Sequence, residues 1–158
     1  MRLKDKIAII TGGSQGIGRE YALRFAREGA HVAIADVREE QARAVVREIE
    51  KLGREGMALR MDVSKEEDTR AAAAQVAERF GRIDILVNNA ALYFDMDMQD
   101  KSLAYFNKVL SVNLTGVWLM TRAVSRFMKR QRSGKIINQS STAAYLSNMG
   151  WVETDDPA

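Results

Sequence analysis

Three glycines, Gly12, Gly16 and Gly18, fall between an apolar β-branched run, Ile7 to Ile10, and a stretch whose apolar residues Tyr21, Ala22, Phe25 and Ala26 recur at helical spacing. Glycines at a strand-to-helix turn let the backbone bend tightly and approach a pyrophosphate at the helix N-terminus, where unpaired N–H groups favour an anion. The turn runs through Thr11, Gly12, Gly13, Ser14, Gln15, Gly16, Ile17 and Gly18, and Asp36 lies 18 residues beyond Gly18, at the end of a second apolar run, Val32 to Ala35. A carboxylate there can accept both hydroxyls of an adenosine ribose. Strand, glycine turn, helix, strand and acid form a dinucleotide site. The carboxylate repels a 2′-phosphate, and neutral Gln15 stands where a phosphate site would want a cation, so NAD is favoured over NADP. Arg38 points the other way, because a guanidinium two residues on can swing toward a 2′-phosphate; its alternative reading is a solvated residue opening the next helix.

The elements that position these residues follow one rhythm. After the first unit, Gly29 ends the first helix. Glu39 to Leu52 reads as a second helix with Ala42, Val45, Val46 and Ile49 on one face and Gly53 behind it. Met57 to Met61 is a third strand, and Ser64-Lys65-Glu66-Glu67 reads as a capping box opening a helix that runs to Gly81. Ile83 to Val87 is a fourth strand. A loop with Tyr93, Phe94 and three aspartates precedes a helix near Ser102 to Asn113, a second near Leu114 to Arg130, and a fifth strand, Lys135 to Gln139. Strands alternating with helices predict an α/β fold, a doubly wound (Rossmann) parallel sheet of order 3-2-1-4-5, because every parallel connection crosses over the sheet.

Composition narrows the function classes. With 158 residues and 46% hydrophobic side chains, one domain over residues 1–158 is expected. Twenty-four Lys and Arg against 21 Asp and Glu leave a net charge of +3, scattered rather than blocked, so no nucleic-acid partner is expected despite a pI near 9.3. No Cys and one His argue against a disulfide framework or a transition-metal site, and the apolar run at the N-terminus is too short for a membrane segment. A metal-free, cytoplasmic protein without membrane attachment is expected. His31 reads as a strand-end residue.

Five signatures in order and spacing, Thr11 to Gly18, Asp62-Val63, Asn88-Asn89-Ala90, Asn113 and Ser140-Ser141, resemble the short-chain dehydrogenase/reductase family over the chain up to about Ser141. The resemblance implies an NAD(P)-dependent oxidoreductase that interconverts a small-molecule secondary alcohol and a ketone by hydride transfer. It implies that Asp62 contacts the adenine through its carboxylate and Val63 through a backbone amide. Asn88, Asn89 and Ala90 would steady the central strand end beside the cofactor; Ala91 stands where the family usually has glycine. Ser141, the second serine of its pair, would polarise the substrate carbonyl. Asn113 would bend its helix and hold a water of the proton relay; read from the residue alone, it is equally a helix cap. The helix carrying Trp118, Met120, Val124, Phe127 and Met128 pairs between subunits in the family, which implies a homo-oligomer; from spacing alone the five are core or subunit contact. Met96 and Met98 line a substrate entrance or belong to a loop.

One expected feature is absent. The family's proton donor is a tyrosine followed one helical turn later by lysine, about a dozen residues beyond the serine, and Thr154 and Ala158 occupy those places. Tyr145 comes too early and has Met149 where its lysine should be. The expectation is therefore a chain truncated relative to the family, lacking its C-terminal strands, with 141–158 as a substrate-loop-like tail. The alternative is a non-catalytic NAD-binding module.

Overall fold

The β-branched run at the N-terminus becomes β1 (Ile7–Thr11), buried throughout. In a computed structural model that describes residues 1–92 and 102–141, it is followed by α1 (Gly16–Arg27), β2 (His31–Asp36), α2 (Glu39–Lys51), β3 (Gly56–Arg60), α3 (Glu66–Phe80) and β4 (Ile85–Asn88). The chain continues through α4 (Leu103–Leu110), a π-helical turn (Ser111–Thr115), α5 (Gly116–Gln131) and β5 (Lys135–Asn138). The sheet order is β3-β2-β1-β4-β5 and every pairing is parallel, as the alternation predicts.

The two-residue period of the strands assigns each side chain to a face. Ile7 and Ile9 of β1 join Ala33, Ala35 and Leu86 in a core closed by Ala72, Ala73 and Val76 of α3 and by Met120, Ala123 and Val124 of α5. Ala8 and Ile10 join Val32, Ile34, Ile85 and Val87 against Ala22, Leu23 and Ala26 of α1 and Ala42, Val45 and Ile49 of α2. Both faces of the central strands are dry, which is why they read as continuous apolar runs rather than as alternation. At the N-terminal edge of the sheet, the buried Asp84 carboxylate accepts from Ile7 N at 2.9 Å and from Arg82 Nε at 2.9 Å. Its hydrogen bonds hold the Arg82 guanidinium's pKa above its already high ordinary value.

Two expectations need correction. Ser64 does not open a capping box: α3 begins at Glu66 with no side-chain cap, and Ser64 Oγ donates instead to Asp62 Oδ1 at 2.6 Å. The bond to a carboxylate holds the hydroxyl toward Asp62, and the first turn of α3 is left without a side-chain cap. The two helices expected on either side of Asn113 form one continuous helical stretch, with Ser102 Oγ capping its start by accepting from Tyr105 N at 3.1 Å. Of the five residues read as core or subunit contact, Trp118 is 57% exposed, with the Arg122 guanidinium 4.4 Å from its ring centroid. Met120, Val124 and Met128 are buried as expected.

His31 sits at the start of β2, and its Nδ1 accepts from Glu55 N at 3.0 Å, the strand-end role expected of it. Strand β5 is largely exposed, with Ile136 packed against the core and Ile137 45% accessible on the other face. No helix among the described residues is long and apolar enough to cross a membrane.

Candidate functional site

The sheet reverses its winding between β1 and β4, so a crevice opens at their C-terminal ends, where ligands of doubly wound sheets bind. Thr11 closes the bottom of that crevice. Its Oγ1 accepts from Asn89 N and Ala90 N, both at 3.0 Å, and donates to Val87 O at 3.4 Å. Asn89 returns the contact, its Nδ2 donating to Thr11 O at 2.9 Å and Gly12 O at 3.1 Å. The two strand ends are thereby latched to each other by side chains that a polar crevice would otherwise leave to water.

At Gly12 and Gly18 the turn packs on this latch with no room for a side chain. A Cβ on Gly12, whose φ is +63°, would lie 2.8 Å from Ala90 Cα. A Cβ on Gly18 would lie 2.3 Å from Gly12 O and 2.6 Å from Asn89 Nδ2. Gly18→Ala must therefore displace backbone, and is expected to cost about 3 kcal/mol of stability, at the upper end of overpacking effects. Urea unfolding checks this, and an unchanged midpoint contradicts it.

Asp36 ends β2 with its carboxylate buried, the residue being 4% exposed. Oδ2 accepts from Ser14 N at 3.1 Å, and Oδ1 accepts from Arg38 N at 3.0 Å and Arg38 Nε at 3.3 Å. The turn and the acid predicted as two halves of one site are thus in direct contact. Arg38 is the N-terminal cap residue of α2, and its partly exposed side chain lies against the acid.

Ser14 Oγ is buried without a hydrogen-bond partner, and α1 begins after Gln15 with no side-chain cap. An orphaned hydroxyl beside uncapped helical N–H groups, in a cradle that any Cβ at Gly12 or Gly18 would fill, fits the pyrophosphate of a dinucleotide. Gln15, Gly16 and Ile17 face outward at the mouth of the turn.

On the far side of the crevice, Asp62 Oδ1 accepts from Ser64 N at 3.0 Å as well as from Ser64 Oγ, and Asp62 N donates to Asp68 Oδ2 at 2.9 Å. Val63 beside it is buried. Asn113 lies within the π turn and is not a helix cap: its Oδ1 accepts from Leu92 N at 2.7 Å and its Nδ2 donates to Leu92 O at 3.3 Å. The side chain holds the loop after β4 at both backbone groups of one residue, and Ala91 in that loop is exposed.

Ser140 and Ser141 follow the end of β5, both exposed. Their strand is fixed to β4 by Gln139 N donating to Asn88 O at 3.1 Å and by Asn88 Nδ2 donating to Asn138 Oδ1 at 2.8 Å. Asn88 Nδ2 also reaches Thr121 Oγ1 of α5 at 3.0 Å. Asn138 and Thr121 escaped sequence reasoning. The available signal was a polar residue at the end of an apolar strand, since such a residue needs a partner. The expectations for Tyr93, Phe94, Met96, Met98, Tyr145, Met149, Thr154 and Ala158 concern residues outside those described. Among the described residues, no group of three His, Cys, Asp or Glu could hold a metal ion.

A glycine cradle at the switch point of a parallel sheet, joined to a buried acid at the end of the next strand, defines a dinucleotide-binding α/β protein. Residues 6–153 match the family model described as short chain dehydrogenase, and the chain belongs to that family. It is 44% identical over 145 residues to an uncharacterized oxidoreductase of Mycobacterium tuberculosis, covering 90% of this chain and 58% of the relative. It is 42% identical over 144 residues to a sorbitol dehydrogenase of Cereibacter sphaeroides, covering 90% and 55%. Among solved structures, an NAD+-bound xylitol dehydrogenase superposes with a TM-score of 0.87 at 32% identity, over 96% of this chain and 59% of that one. The chain thus spans somewhat more than half the length of the relatives it matches.

Proposed function

We propose that the protein binds NAD, in preference to NADP, and interconverts a small-molecule secondary alcohol and a ketone. The observation that carries this reading is the Asp36 carboxylate, buried against the amide of Ser14 so that ribose and pyrophosphate would meet adjoining parts of one site. When bound, the nicotinamide accepts a hydride from the alcohol or donates one to the ketone. Thr11, Gly12, Ser14, Gln15, Gly16, Ile17 and Gly18 would hold the phosphates, Asp36 the adenosine ribose, Asp62 and Val63 the adenine, and Asn89 and Ala90 the floor between them.

Magnitudes favour NAD over the internal Arg38 contact. An ion pair with one exposed partner contributes no more than about 1 kcal/mol. Two ribose hydroxyls donating to a carboxylate contribute about 3 kcal/mol together, so the ribose displaces Arg38 Nε from Asp36. Ser141, at the end of the strand beside β4, would donate its hydroxyl to the substrate oxygen, where charge develops as the carbonyl reacts. Asn113 would set the loop after β4 and hold the relay water. The family's proton donor has its expected positions outside the described residues.

A homo-oligomer is part of the proposal. Leu103, Phe106, Leu110, Leu114 and Trp118 are exposed and recur every three or four residues along α4, the π turn and α5, an apolar stripe that a second copy can cover. Trp118→Glu is expected to shift the species seen by analytical ultracentrifugation to a smaller one, and an unchanged mass contradicts this contact.

The functional proposal is tested by titrating NAD calorimetrically and then offering a panel of secondary alcohols to the NAD-loaded protein in a form extended beyond Ala158 that carries the family's tyrosine and lysine. Binding followed by cofactor reduction is expected. Binding without turnover across the panel selects the non-catalytic module, and no binding overturns both readings.

A further inference from the structure

Glycine is the poorest helix former after proline, yet Gly116 is the first residue of α5, with ordinary helical angles of φ −60° and ψ −41°. Backbone conformation therefore gives no reason for glycine there. Space does. A Cβ on Gly116 would lie 2.8 Å from Val63 Cγ2, 3.0 Å from Val63 Cβ and 3.2 Å from Val63 O. Val63 is buried and β-branched, so its side chain cannot rotate away cheaply, and one of the three atoms is backbone.

The loop that carries Val63 is tied into a unit. Asp62 N bonds Asp68, Lys65 N donates to Asp62 O at 3.0 Å, and Ser64 bonds Asp62 Oδ1. Pushing Val63 away from α5 would carry Asp62 with it. The π turn directly before Gly116 holds the loop after β4 through Asn113 and Leu92, so one helical segment sets the spacing of two loops at the crevice.

From this geometry we infer that Gly116 is a positioning residue for the adenine end of the dinucleotide: its missing side chain lets α5 seat Val63 and Asp62 at the distance the adenine requires. The inference rests on the proposed dinucleotide site. It makes the close approach of α5 to the loop after β3 a determinant of adenine affinity, not only of packing.

The test is a double-mutant cycle read by calorimetric binding of ADP-ribose, well below the unfolding temperature, where affinity does not respond to global stability. Gly116→Ala is expected to weaken binding about tenfold, and adding Val63→Ala, which removes the 2.8 Å contact at Cγ2, the shortest of the three, is expected to restore it to within about threefold of Val63→Ala alone. Wild-type affinity in Gly116→Ala, or a double variant still about tenfold weaker than Val63→Ala, overturns the inference. If Gly116→Ala does not fold, the comparison of the double variant with Val63→Ala decides alone. Failure of the wild-type protein to bind ADP-ribose sinks the dinucleotide reading itself, a separate outcome.

Discussion

Ser141→Ala is expected to lower turnover of a secondary alcohol by about a hundredfold to a thousandfold, the cost of removing one hydrogen-bond donor from a developing oxyanion, while leaving NAD affinity within about twofold. The split follows from placement. Ser141 lies beyond the C-terminal end of β5, and the cradle of Gly12, Ser14 and Gly18 lies beyond β1, with β4 between them in the sheet. The hydroxyl contributes where charge builds on the substrate oxygen, so its loss appears in kcat more than in KM. The comparison is made on a form of the protein that turns over a secondary alcohol. Equal kcat in wild type and variant contradicts the role of Ser141, whereas a parallel loss of NAD affinity would make it a structural residue.

Asp36→Ala is expected to weaken NAD binding about a hundredfold, equivalent to about 3 kcal/mol for two hydroxyl bonds to a carboxylate. The same change leaves the Arg38 guanidinium without its carboxylate and removes the charge that repels a 2′-phosphate. NADP affinity is therefore expected to rise or hold while NAD affinity falls, so the ratio of the two moves further than either constant. Adding Arg38→Ala to Asp36→Ala should return NADP to weak binding, because no cation then faces the phosphate.

Much of this site is legible in the sequence because its signals are local. A buried strand, glycines at fixed offsets and an acid at the next strand end lie within Ile7 to Asp36, and the structure brings Ser14 and Asp36 together at 3.1 Å. The sheet order follows from the strand–helix alternation and the handedness of crossovers. What was misread depends on contacts that sequence spacing does not encode. The capping-box pattern at Ser64 is not realised because the hydroxyl is held back toward Asp62, a contact that spacing alone does not encode. The π turn left no periodic trace over five residues, so one continuous helical stretch read as two divided at Asn113. For Trp118 the spacing left core and subunit contact both open, because spacing fixes the helix face and not what lies against it.

Gly116 illustrates the same limit from the other side. Nothing in its neighbourhood along the chain asks for glycine, and its reason appears only when Val63, more than fifty residues earlier, is brought against it.

The central claim is that the glycine turn and Asp36 form a single NAD site, and calorimetric titration of NAD into wild type and Asp36→Ala tests it most directly. The account predicts saturable binding to wild type and binding about a hundredfold weaker to the variant, with both folded. Equal NAD affinity in the two proteins would contradict it.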